Sequence, residues 1–164
     1  YRHFENKDAL IATLLLEGHR RLTQTLAEAR IRTPGTAADR LLALGRAYVE
    51  FARRHAEYLN VMFSREGLAS AMRLGPRHDG LSHEDYDSFG ELERSVMACQ
   101  AEGSLDPAQD PAAISMSIWA EVHGLALLRN EGLIAAMSRQ RGLTEEHTIE
   151  KVFEILHARF ATGT

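Results

Sequence analysis

The side chains of this chain that could do chemistry are few and scattered, and their spacing sets the first limits. Glu154-Ile155-Leu156-His157 has the Glu-x-x-His spacing with which one helix offers a carboxylate and an imidazole to a two-metal centre. That chemistry takes two such pairs and two further carboxylates, and only one pair is present. His78-Asp79 and His83-Glu84-Asp85 gather nitrogen and oxygen donors in one polar stretch, where solvated side chains are the ordinary outcome. Cys99 is the single cysteine, so no intramolecular disulfide can form, and it reads as a small core residue rather than a redox sensor. There is no Gly-rich phosphate loop, nucleophile elbow or Cys/His ligand pattern. The expectation is a protein without catalytic residues, metal or cofactor.

One further pair draws notice. His123 stands four residues after Trp119, which on a helix puts imidazole and indole on one face. Either the rings pack and the imidazole bonds into a neighbouring helix, or it faces a ligand. Both readings stay open, and Gly124 would let another helix approach closely.

The elements that must position these groups are helical. Six segments carry apolar residues at spacings of three and four, separated by Gly, Pro or polar turn residues, and no alternating strand pattern competes. The first runs from an Asn6 cap to about Arg30, with Leu10, Leu14, Leu22 and Leu26 on one stripe, and Thr33-Pro34-Gly35 stops it. The second spans about 36–55 and the third about 56–72, ended by Leu74-Gly75-Pro76; residues 77–84 read as one long exposed loop. The fourth runs from about His83 to Ala101, with Gly103 as its left-handed cap. The fifth, about Pro111 to Asn130, is apolar on two faces and so needs two packing partners. The sixth follows a Thr144 cap to about Ala161. With 164 residues, 45% of them hydrophobic and 26% charged, one all-α domain is expected, without a bilayer-length apolar run. The N-terminus lacks an export signal, so a cytoplasmic location is expected. Residues 1–54 hold ten Lys and Arg against six Asp and Glu, and the remainder nine against seventeen. A net of four positive charges at one end is too weak alone to name a polyanion as partner.

Two stretches carry a family resemblance. Tyr1-Arg2-His3-Phe4-Glu5-Asn6-Lys7-Asp8-Ala9-Leu10 resembles the segment that ends the recognition helix of TetR-family transcriptional regulators and starts their fourth helix. Trp119-Ala120-Glu121-Val122-His123-Gly124, after Gly103-Ser104-Leu105 and two Asp-Pro steps, resembles the C-terminal domain of that family named for a Trp, a His and a Gly. Residues 52–63 resemble its turn followed by a Tyr-x-x-x-Met-Phe start, although His55-Ala56 stands where the family often has a Pro.

The resemblance implies a helical ligand-binding core behind a three-helix DNA-binding module. Residues 1–6 would be the remnant of that module and 7–164 the ligand-binding and dimerisation domain. Tyr1 and Lys7 would contact phosphates, Lys7 adding its charge to a helix N-terminus, with His3 near the groove edge and Phe4 as an apolar peg. The effector pocket would draw on Tyr48, Phe51, Phe89, Trp119 and His123, with Met62, Met72 and Met97 as adaptable walls. The last two helices would form a four-helix bundle with those of a second copy, through Ile114, Ile118, Leu125, Val152, Leu156 and Phe160. The implied partners are operator DNA, a small apolar or aromatic effector and a second copy; a membrane is not among them. The implied activity is a repressor released by its effector. A helical small-molecule carrier, or a bundle enzyme using His123 or the Glu154/His157 pair, remains the alternative.

Overall fold

The computed structural model describes residues 6–67, 69 and 87–161, and among these it is helical without strands. Helix α1, Lys7–Arg32, starts where the Asn6 side chain accepts a hydrogen bond from the Ala9 amide at 2.9 Å. It stops at Thr33-Pro34-Gly35, where Gly35 takes a φ of 105° that a β-carbon would resist. Helix α2, Ala37–Arg54, begins with a reciprocal cap: Thr36 accepts from the Asp39 amide while Asp39 accepts from the Thr36 amide. A third contribution comes from Glu102, whose carboxylate accepts from the Ala37 amide and sits at the positive end of α2. Helix α3, Ala56–Met62, follows after a one-residue break at His55.

The third helix is shorter than its apolar spacing predicts. The Ser64 hydroxyl bonds the Val61 carbonyl at 3.1 Å and accepts from the Gly67 amide at 2.8 Å. Local side-chain bonding thus ends one helix and caps the next turn. Helix α4, Ser88–Ala101, is capped by Asp87, not from His83. Helix α5, Pro111–Asn130, has Asp110 as cap and Pro111 in its first turn, where a missing N–H costs nothing. Helix α6, Leu133–Gln140, adds to the six expected; it lies between Gly132 and Gly142, both at positive φ, and buries Ile134 and Ser138. Helix α7, Glu145–Ala161, starts at Thr144, whose hydroxyl accepts from the His147 amide.

The core forms around α2, because half of that helix is apolar or small enough to be enclosed on several sides. Tyr48, Val49, Phe51 and Ala52 pack with Leu22 and Leu26 of α1, Leu59 of α3, Val122 and Ala126 of α5, and Phe153 of α7. At the other end of α2, Ala37, Ala38 and Leu41 meet Leu92, Val96 and Cys99 of α4 and Phe160 of α7. Gly45 allows a close crossing, since a β-carbon there would stand 3.0 Å from the Phe153 ring and 3.4 Å from Val122. Polar ties fix the arrangement. Arg129, only 13% exposed at its side chain, reaches Glu145 at 3.3 Å and Glu50 at 3.7 Å, and Asn130 donates to the Ala52 carbonyl. Arg30 of α1 holds the nearly buried Glu91 of α4.

Helix α5 alone among the described helices has the length and mean apolarity of a membrane span, by composition only, and Glu121, His123 and Arg129 interrupt its apolar residues. Only 22% of that apolar stretch is buried. Its other face leaves Met116, Leu127 and Leu128 in solvent, with Ile155 of α7 and Met137 of α6 similarly uncovered. A β-carbon at Gly124, also on α5, would meet nothing within 4 Å.

Candidate functional site

The site is a cavity of about 160 Å³ at the junction of α1, α2, α4 and α5. Helix α1 contributes His19, Leu22 and Leu26, and α2 contributes Leu41, Leu44, Gly45 and Tyr48. Ser88, Phe89 and Leu92 of α4 form the opposite wall, Ile118, Trp119 and Val122 of α5 the third, and Phe63, just after α3, completes the lining. Among the described residues no lining side chain is an Asp, Glu, Lys or Arg. The walls are therefore hydrocarbon and aromatic, of the kind that holds an apolar molecule.

Of the residues expected at a pocket, Tyr48, Phe89 and Trp119 line this one. His123 lies one layer behind. Its Nδ1 is 2.6 Å from the Tyr48 hydroxyl, and its ring packs 5.3 Å from Trp119 and 4.8 Å, edge on, from Phe63. One hydrogen bond thus joins the phenol of α2 to the imidazole of α5. The Trp119 indole lies close enough to the Tyr48 hydroxyl to offset part of the effect of burial on that phenol. Burial pushes the Tyr48 phenol up to about 12 and moves His123 below the ordinary histidine range, so both are neutral near pH 7. His123 thus packs and bonds, the first of its two readings, and it does so against two cavity walls, Tyr48 and Trp119.

Phe51 and Met62 are buried in the core beside the cavity and do not line it; Phe51 packs 4.9 Å from His55, and Met62 lies under Gly18. Met97 needs correction as a wall: it is 53% exposed on the solvent side of α4. Met72 lies outside the described residues. The residues expected between two copies also sit elsewhere than on the outer surface. Leu125, Leu156 and Phe160 are buried in the core of one protomer, Ile114 and Val152 pack against that core, and Ile118 faces the cavity. The apolar faces of α5 and α7 that do meet solvent are the opposite ones.

Sequence reasoning missed His19, Phe63 and Ser88. His19 stands three residues before Leu22 and seven before Leu26, a spacing that puts it on their stripe, but the neighbouring Glu17, Arg20 and Arg21 mask that signal. In the structure Glu17 bonds both arginines, which hold its carboxyl down at about 2, and His19 turns inward, its ring 6.1 Å from Phe63.

Lys7 stands exposed at the start of α1, 2.6 Å from Glu66, whose carboxylate raises the lysine pKa. Tyr1, His3 and Phe4 lie outside the described residues, as do His78, Asp79, His83, Glu84 and Asp85. Glu154 is paired with Lys151, and His157 lies 3.9 Å from Asp39. Among the described residues no three His, Cys, Asp or Glu side chains converge as a metal site. Cys99 is fully buried, which pushes its thiol up and keeps it protonated.

Residues 41–152, which hold most of these walls, match the family described as tetracyclin repressor-like, C-terminal domain. The chain belongs to this family. The tetracyclin repressor-like assignment makes it a regulator domain in general terms, and the matched span includes Trp119, His123 and Gly124. No curated protein matches the sequence. A solved structure of a protein with unknown function from Rhodococcus sp. RHA1 has the same fold, with a TM-score of 0.73 at 24% identity over 96% of this chain and 75% of that one.

Proposed function

We propose that this tetracyclin repressor-like domain is the effector-sensing and dimerisation part of a transcriptional repressor, released from operator DNA when a small apolar or aromatic molecule enters the cavity. The observation that carries this reading is the cavity itself: about 160 Å³, uncharged, and walled by four helices including α1. Helix α1 bears His19, Leu22 and Leu26 in the wall and Lys7 at its first position. A ligand that prefers one placement of α1 over another would therefore bias where Lys7 stands. With residues 1–6 as the end of a DNA-binding module, Tyr1, His3 and Lys7 would meet the DNA backbone, positioning the protein without choosing sequence.

The partner on the other side of α5 is a second copy of the chain. Met116, Leu127 and Leu128, with Ala120 and Gly124 between them and Ile155 on α7, form an uncovered apolar face. Two such faces brought together by a two-fold axis would complete a four-helix bundle. A soluble carrier would also own a cavity, but it would not need this second face.

The test is a titration on the full-length protein bound to its operator. A compound that saturates the cavity, read by fluorescence of Trp119, the sole tryptophan, should release DNA over the same concentration range. Saturation of the cavity with DNA binding unchanged would instead support the carrier reading.

A further inference from the structure

The polar atoms around the cavity are unevenly committed, and this points to the chemistry of its occupant. The Tyr48 hydroxyl is engaged by His123, and the Trp119 indole lies close to the same oxygen. What remains is the pair His19 and Ser88, facing each other across α1 and α4 with Nδ1 and Oγ 3.4 Å apart. That is long for a bond between a ring nitrogen and a hydroxyl, whose donor-to-acceptor distance is ordinarily about 2.7–3.0 Å. A neutral imidazole offers one donor and one acceptor, and a serine hydroxyl one donor and two acceptor sites. Together they match one hydroxyl or carbonyl oxygen.

Among the described residues of the lining none carries a charge. The ionic side chains along α1 are turned to other partners: Glu17 to Arg20 and Arg21, and Arg30 to Glu91 on α4. A carboxylate or ammonium entering here would lose water and gain no counter-ion. The volume, about 160 Å³, is of the size known to accept a benzene-sized molecule.

We infer that the cavity takes an uncharged, single-ring molecule bearing one hydroxyl or carbonyl, whose oxygen bonds to His19 and Ser88 while its ring lies among Leu44, Phe89, Ile118 and Trp119, and that the matching carboxylate is rejected. This rests on the reading of the cavity as the effector site. His19 and Ser88 are then the residues that set specificity, and the ligand oxygen ties α1 to α4.

Toluene, p-cresol and p-toluate have nearly the same ring and differ in the group presented. They are titrated at pH 7 against the dimeric chain, with Trp119 fluorescence and thermal shift as readouts. p-Cresol is expected to bind about tenfold tighter than toluene, the scale of one well-made hydrogen bond, and p-toluate at least tenfold weaker than toluene. His19→Phe, which keeps a ring against Phe63, and Ser88→Ala should each bring the ratio of p-cresol to toluene affinity, measured in the same variant, toward one. Ser88→Ala decides alone if His19→Phe does not fold. Equal binding of p-cresol and toluene, tighter binding of p-toluate, or a p-cresol preference that survives Ser88→Ala would overturn the inference while toluene binding still supports a ligand cavity. Failure of all three compounds to bind would overturn both.

Discussion

Replacing Tyr48 with Phe removes one oxygen and nothing else, from a side chain that is only 4% exposed. That oxygen is hydrogen-bonded to His123 Nδ1, so Tyr48→Phe breaks one short hydrogen bond and leaves an imidazole nitrogen without that partner. A net hydrogen bond is worth about 0.5–1.5 kcal/mol, and an orphaned buried group costs about 1–3 kcal/mol. His123 is half-buried rather than enclosed, so water reaches part of the loss, and the lower end applies. The expected destabilisation is about 1–2 kcal/mol in urea unfolding, which for a chain of this length is roughly 2–8 °C in Tm. His123→Ala should cost a similar amount, and the double variant less than the sum by about 0.5–1 kcal/mol, because both remove the same bond. A double variant whose loss is additive within about 0.3 kcal/mol would refute the bond.

The remaining predictions concern pH, assembly and DNA. Burial lowers the pKa of His19 and of His123, so the unfolded chain binds protons the folded one refuses, and stability should fall as pH drops below the unfolded value of 6.5. Glu17 and Glu50, held at about 2 by arginines, lose their contribution only below their unfolded value of 4.5, a separate window. A Tm that rises between pH 7 and pH 5 would contradict this. Ala120→Arg or Leu128→Glu, on the exposed face of α5, should give folded monomers in sedimentation; a concentration-independent monomer mass for the unaltered chain would end the dimer reading. Leu156→Arg should instead unfold the protomer, by roughly 3 kcal/mol or more, because Leu156 is 6% exposed in the core and an arginine there has no counter-charge. In the full-length protein Lys7→Ala should weaken binding to every DNA sequence alike and lower the salt slope by about one.

Much of the fold was legible because its signals are local. Asn6, Thr36, Asp110 and Thr144 are side chains that cap a helix by their own chemistry, and each does so here. The interruption at Phe63-Ser64 was not, because a serine inside an apolar period looks like any polar position until its hydroxyl is seen to take over the backbone bonds. Helix α6 has only eight residues, too few for periodicity to speak. The apolarity of α5 is two-faced, as its sequence shows, yet spacing cannot say which face meets which. Leu125 and Ile118 therefore turned out to look inward, and Leu127 and Leu128 outward. Tyr48, Phe89 and Trp119 were found as large aromatics on inner stripes, whereas Met97 shows that a polarizable side chain is no guide to direction.

Helix α1 is held unevenly along its length. Its buried residues, Gly18, Leu22, Thr23 and Leu26, begin only near its middle, and from Lys7 to Glu17 no residue is fully enclosed. At 1.5 Å per residue, Lys7 stands about 22 Å beyond Leu22. A tilt of about 5° at the cavity wall, the response to a guest that pushes His19 from Ser88, would carry the Lys7 end sideways by roughly 2 Å. In a symmetric pair the two ends would diverge or converge by roughly twice that, a change in spacing that a rigid double helix, with its fixed pitch, does not forgive.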